Sequence, residues 1–227
     1  MPRTPRLKLK SIIVDWILPP EIAKKLKRAH RSLFQSHRAR KEPDPLDEYR
    51  GEEWSLFRKA LEGAKSYLEY GCGLSTEFVV NSYGCQVKSV DTSSEWVTRV
   101  KDRVGDGAQI IYVDLGPVGA WGRPLSYERR RDFVHYLEAG FDDGYSPEVV
   151  LVDGRFRVAC FFTTLLSASS GTRIVFDDYP SRLHYKVVEE ILSPNAINSR
   201  QALFVVPPSI DRKRVGELRD EFLNVME

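Results

Sequence analysis

Five short apolar runs in this chain each carry or end on an acidic residue, and longer stretches with other spacing separate them. Residues 66–70 contain Glu69 and run into Gly71-Cys72-Gly73, and residues 86–90 run into Asp91. Residues 108–113 end at Asp114, residues 149–152 at Asp153, and residues 173–176 at Asp177-Asp178. The run Val149-Val-Leu-Val152 is apolar throughout, as a strand buried on both faces requires. Between the runs, residues 52–62, 76–83, 94–104 and 156–168 read as helices, the third capped by Ser93 or Ser94. A helix over 182–192, a strand over 203–206 and a helix over 211–225 follow. Strands alternating with helices predict an α/β fold with a doubly wound, mostly parallel, Rossmann-like sheet. In such sheets ligands bind beyond the carboxyl ends of the strands, near the point where strand order reverses.

The composition, 42% apolar and 29% charged, excludes a disordered or fibrous chain. Cys72, Cys85 and Cys160 lack metal-type spacing and are odd in number, which predicts free thiols and a reducing, cytoplasmic setting. No apolar run reaches the roughly 18–20 residues that span a bilayer. The net charge of +2 conceals an asymmetry. Residues 1–41 hold twelve Lys and Arg against Asp15 and Glu21. Residues 1–45 therefore read as a basic helical arm and linker, and residues 46–227 as the main domain. From Glu21 to Lys41 apolar residues recur at helical spacing, so the arm fits a capping helix. The second reading is weak peripheral contact with a membrane or a polyanion. No other nucleic-acid signature is evident.

The acidic ends of successive strands meet at one rim, where like charges repel unless a ligand or cation relieves them. Gly71 permits a tight turn, and Gly73 allows close approach of a ligand to the backbone. Leu74-Ser75-Thr76 stands where a dinucleotide fingerprint has its third glycine, which argues against a pyrophosphate site and a dehydrogenase. Asp91, at the end of the second strand, is placed to accept both hydroxyls of a ribose. The pattern suits a ligand presenting an amino-acid group and a ribose.

The run Tyr67-Leu-Glu-Tyr-Gly-Cys-Gly-Leu-Ser-Thr76, with Val90-Asp91 and Val113-Asp114-Leu115, resembles the class I S-adenosylmethionine-dependent methyltransferases over residues 52–206. That resemblance implies S-adenosylmethionine as cofactor, with Glu69 at its amino group. It sets Gly71, Cys72 and Gly73 about the methionine portion, Asp91 at the ribose, and Asp114 with Leu115 beside the adenine. Val152-Asp-Gly-Arg155 and Phe176-Asp-Asp-Tyr179 resemble the metal-dependent O-methyltransferases of the catechol and macrolide-sugar type. This second resemblance implies a divalent cation such as Mg2+ on Asp153, Asp177 and Asp178, activating a hydroxyl of a small or sugar-like acceptor. Arg155-Phe156-Arg157 departs from the sugar-enzyme pattern, and Arg155 pairing with Asp153 or Asp177 is the alternative to a metal. The Val-Asp-Gly-Arg-x-Arg run and the loop at 114–124 are also similar to methyltransferase-like proteins of unassigned substrate.

Candidate catalytic residues are therefore Asp153, Arg155 and His184, the last close in sequence to the rim; His135 reads as a core or surface histidine. Arg157 or Arg182 is placed to bind an anionic substrate. The loop 114–124 either covers the cofactor or packs Trp121 on the body. A second class of function stays open: a methyltransferase fold that binds without chemistry, tethered by its basic arm.

Overall fold

The computed structural model describes residues 44–226, so the basic arm over 1–41 lies outside the described residues. A 3-10 turn at Pro45–Arg50 and another at Glu52–Trp54 lead into helix α1 (Ser55–Leu61). The alternating units follow as β1 (Ser66–Tyr70), α2 (Leu74–Ser82), β2 (Gln86–Asp91), α3 (Ser94–Val104) and β3 (Gln109–Tyr112). After a long connection come α4 (Phe133–Glu138), β4 (Val149–Val152), α5 (Arg157–Ser167) and β5 (Arg173–Phe176). The chain closes with β6 (Ala196–Ile197), β7 (Ala202–Val205) and α6 (Arg212–Phe222). Ser93 caps α3 as expected, its hydroxyl accepting from the Trp96 N–H at 3.3 Å.

The seven strands form one sheet in the order β3-β2-β1-β4-β5-β7-β6, with β3 to β5 parallel and β7 and β6 antiparallel. Strand order reverses between β1 and β4, where Tyr67 pairs with Val149 and Tyr70 with Val152. The side chains of β4 are fully enclosed, as its unbroken apolar run predicts. Alternate strand residues feed two cores. On one face Leu68, Tyr70, Val150, Val152, Ile174 and Phe176 pack under α5 and α6; on the other Tyr67, Val149, Leu151 and Val175 pack beneath α1 and α2.

Two elements depart from the expected pattern. The segment read as a helix over 182–192 is a 3-10 helix, Leu183–Glu190. Its inward residues Tyr185 and Val188 stand three apart, followed by Ile191, and a three-residue period places such positions on one face. The two-residue strand β6 carries too little pattern to be read. No helix of the described residues is long and apolar enough to cross a membrane.

At the reversal point two backbones touch. Gly71 has φ of +94°, and a Cβ there would lie 2.7 Å from the Cα of Gly154. A Cβ on Gly154 would strike the Tyr136 hydroxyl and come within 2.8 Å of the Gly71 nitrogen. Neither neighbour can withdraw, because one is main chain and the other is a fully buried ring. Gly154→Ala is expected to lower the unfolding free energy by about 2 kcal/mol or more, measured by urea denaturation. An unchanged midpoint would contradict the close approach.

Candidate active site

The turn after β1 is held by its own N–H groups. Gly71 donates to the Val90 carbonyl at 2.8 Å, Cys72 to Asp91 Oδ2 at 2.9 Å, and Gly73 to Thr76 Oγ1 at 3.0 Å. Asp91 also accepts from the Ser93 N–H at 2.7 Å. Its carboxylate thus ties the end of β2 to the glycine turn, and each oxygen retains a further lone pair. Burial raises the Asp91 carboxyl above its ordinary range, against the lowering pull of the Ser93 and Cys72 N–H groups. The space where a Gly73 side chain would stand is open. The Cys72 side chain packs with Val97, Val100 and Ile110.

Glu69 lies beneath this turn, fully buried. Its carboxylate accepts from the hydroxyls of Ser75, Thr76 (2.5 Å) and Ser89 (3.2 Å), so it anchors the first turn of α2. The resemblance set Glu69 against a ligand's amino group; here three hydroxyls hold it and no face is open. Burial pushes its carboxyl up to about 7, outweighing those three hydroxyl bonds.

Asp114 and Leu115 follow Val113, whose N–H donates to the Asp91 carbonyl at 2.9 Å. Asp114 is exposed, pairs with Arg129 at 2.7 Å and accepts from the Gly116 N–H at 2.9 Å. Those partners, the N–H first, hold its carboxyl below the ordinary range. Leu115 is buried in the main core. The following loop reaches back over β2 through its backbone: Thr92 Oγ1 donates to the Gly122 carbonyl at 2.5 Å. A Cβ on Gly122 would meet that same Thr92 oxygen at 2.7 Å. Trp121 does not pack on the body; it is 76% exposed, with φ of +58°.

The second half of the rim is a lattice of carboxylates and guanidinium groups. One oxygen from each of Asp153, Asp177 and Asp178 lies within 4.8 Å of the others, the convergence that a metal site requires. The fully buried Asp177, however, is gripped at both oxygens by Arg200, at 2.8 and 2.9 Å. Arg157 donates to Asp153 Oδ1 at 2.8 Å and Asp178 Oδ2 at 3.3 Å. It also donates to the carbonyls of Gly154, Asp177 and Asp153. Arg182 takes Asp178 at 2.9 Å. The donor set therefore does not fit a divalent cation, because fixed positive charge already sits among the oxygens that would ligate it.

The guanidinium in that place is Arg157, not Arg155. Asp153 and Arg157 stand four apart, the spacing that brings side chains together across a helical turn, and that signal was present in the sequence. Arg200 and the ring beneath it, Trp54 at 4.4 Å, come from opposite ends of the described chain and left no local mark. Between the two arginines, Phe156 adopts a left-handed φ of +54° and Asp178 has φ of +57°. Strained residues of this kind persist only where surrounding packing demands them; Phe156 is held between Phe133 and Tyr136. The Asp153 side chain is 25% exposed. Burial raises its carboxyl, with Arg157 pulling the other way and Asp177 and Asp178 adding to the rise. His184 is exposed, its ring edge against Tyr185 at 4.4 Å, with no hydrogen bond or ion pair among the described residues. His135 lies on the surface, 3.9 Å from Asp132.

Among solved structures, a methyltransferase-like protein from Silicibacter pomeroyi DSS-3 is 32% identical. The match covers 82% of this chain and 97% of that one, with a TM-score of 0.69. N-methyltransferase NodS from Bradyrhizobium japonicum WM9, solved with S-adenosyl-L-homocysteine, is 13% identical. That match covers 73% of this chain and 90% of NodS, with a TM-score of 0.49. No family model matches the sequence, and no curated protein does.

Two outcomes follow from the charge arrangement. Above its ordinary value of 4.5 the Glu69 carboxyl ionises in the unfolded chain, while the folded chain keeps the proton to about 7. Stability is therefore expected to fall as pH rises from 4.5 to 7 and then to level, by about 3 kcal/mol from this group. Denaturant titrations across pH should show Glu69→Gln flattening that slope by this group's share, the raised Asp91 and Asp153 carboxyls keeping the remainder; a slope equal to that of the wild type refutes the assignment. Second, a chelator or added Mg2+ should leave the melting temperature unchanged. Arg157→Met should lower stability by about 3–5 kcal/mol by stranding the carboxylates. A wild-type melting temperature raised by Mg2+ would reverse this conclusion.

Proposed function

We propose, since this chain belongs to the class I S-adenosylmethionine-dependent methyltransferase family, that it transfers the methyl group of S-adenosylmethionine to an oxygen of a small or sugar-like acceptor. The observation that carries this reading is the Asp91 carboxylate, bonded into the glycine turn at the point where strand order reverses. That placement fits the cofactor: the remaining lone pairs of Asp91 would accept from the ribose hydroxyls, and the open space over Gly73 would admit the methionine portion. When bound, S-adenosylmethionine supplies a methyl carbon on a sulfonium, activated for direct displacement.

The protein's part is to place the acceptor and take its proton. Asp153 leaves β4 beside the glycine turn, its N–H on the Tyr70 carbonyl at 3.2 Å. Arg157 fixes Oδ1 and leaves Oδ2 without a partner among the described residues. A carboxylate with a raised proton affinity, partly exposed and rigidly held, is suited to accept a proton from an acceptor hydroxyl near neutral pH. No metal is invoked, because Arg157 supplies the positive charge that holds the carboxylates together. His184, exposed and without a hydrogen bond or ion pair among the described residues, has no part in this scheme.

Calorimetric titration with S-adenosylhomocysteine tests the cofactor site: wild-type protein binds, and Asp91→Ala weakens binding about tenfold or more. Asp153→Asn is expected to keep that affinity while lowering turnover about 100-fold. The wild-type rate should rise with pH as Asp153 loses its proton, and the variant should lose that rise. Absence of S-adenosylhomocysteine binding by the wild type would refute the proposal.

A further inference from the structure

One charge on the rim lacks a counterpart. Asp153, Asp177 and Asp178 are matched by Arg157, Arg182 and Arg200. Arg155, two residues from Asp153, makes no ion pair and no side-chain hydrogen bond among the described residues, and its Nε is buried without a partner. Its backbone is pinned on both sides: the N–H donates to the Tyr136 hydroxyl at 3.3 Å, and the carbonyl accepts from Cys160 Sγ at 3.3 Å. The side chain is thus presented by a rigid turn, with the fully buried Tyr136 behind it.

The groups acting on this guanidinium are Arg157, Tyr136, Tyr185 and Asp153. Burial first, then Arg157, weakens its hold on its proton, while the two tyrosines and Asp153 strengthen it. Asp153 is the one carboxylate among them, and its Oδ1 is bonded to Arg157. A partly buried guanidinium with an unmade hydrogen bond is costly to maintain unless a ligand completes it. Its planar fork matches a carboxylate or a phosphate, which it can bind through two parallel bonds.

We propose that Arg155 binds an oxyanion, carboxylate or phosphate, carried by the methyl acceptor, and so selects anionic hydroxylated compounds. The inference rests on the methyl-transfer reading above. One turn, residues 153–155, then anchors the acceptor at Arg155 and takes its proton at Asp153. Arg155 is a specificity residue in this arrangement, and Arg157, to which it is not bonded, is structural.

Full-length protein is titrated with inorganic phosphate and with acetate at constant ionic strength, with and without saturating S-adenosylhomocysteine. Wild-type protein is expected to bind at least one of the two anions. Arg155→Met should weaken that binding roughly tenfold or more while leaving S-adenosylhomocysteine affinity unchanged, and Arg155→Lys should fall between. The Met variant should melt no lower than wild type, because it removes an unpaired charge. Equal anion binding by the Met variant, or none by the wild type, overturns the proposal. Loss of S-adenosylhomocysteine binding in the Met variant also overturns it, because the oxyanion would then be the cofactor's own carboxylate. A fall of several degrees in melting temperature would make Arg155 a structural prop and overturn it as well. If wild-type protein binds the anion through Arg155 yet never binds S-adenosylhomocysteine, the methyl-transfer reading fails while the anion site stands.

Discussion

The contact between Gly71 and Gly154 is the constraint on which the site depends. It brings the turn after β1 against the turn after β4 with no side chain between them. Each turn is then stiffened from its own side, the first by Asp91 and by Glu69 beneath it, the second by Tyr136 and Arg157. Any side chain at either glycine would part the two turns and separate the region around Asp91 from the region around Asp153. Strand order reverses here, and the paired glycines set how closely the two turns approach.

The rim solves its electrostatic problem internally. Three carboxylates at the ends of neighbouring strands would repel in a low-dielectric setting, and three arginines neutralise them. Two of those arginines arrive four residues after their partners, as Asp153 with Arg157 and Asp178 with Arg182. The third, Arg200, comes from the connection to the antiparallel β7 and rests on Trp54, so elements far apart in sequence close the lattice. Stability and site geometry are therefore linked: the ion pairs that hold the three carboxylates together also fasten the turns after β4 and β5 to the segment before β7.

Much of this was legible in the residues. The run Val149–Val152 announced a central strand and Ser93 the start of α3, while Asp91 was legible as the end of β2 but not as the tie to the Cys72 N–H. The convergence of Asp153, Asp177 and Asp178 was legible too, because parallel strands deliver their ends to one edge. What occupies their midst was misassigned to Arg155: the four-residue spacing from Asp153 to Arg157 was there to be read, but the left-handed Phe156 that parts the two arginines was not. The role of Glu69 was hidden for a related reason. A carboxylate followed by Ser75 and Thr76 reads as a ligand contact until the helix start is seen to fold back over it. Arg200 and Trp54 left no local signal, since their meeting depends on the whole sheet.

The register of the central pair has a consequence for biosynthesis. Strands β1 and β4 are neighbours in space, yet about eighty residues separate them along the chain, so their pairing carries a high loop-closure cost. During translation the β1, β2 and β3 units can pair as they emerge, but the open edge of β1 has no partner until β4 follows. The nascent chain thus passes through an interval in which Asp91 and the glycine turn exist without Gly154 or Arg157 to oppose them. The turn after β1 gains its opposing turn only when the middle of the sheet is filled.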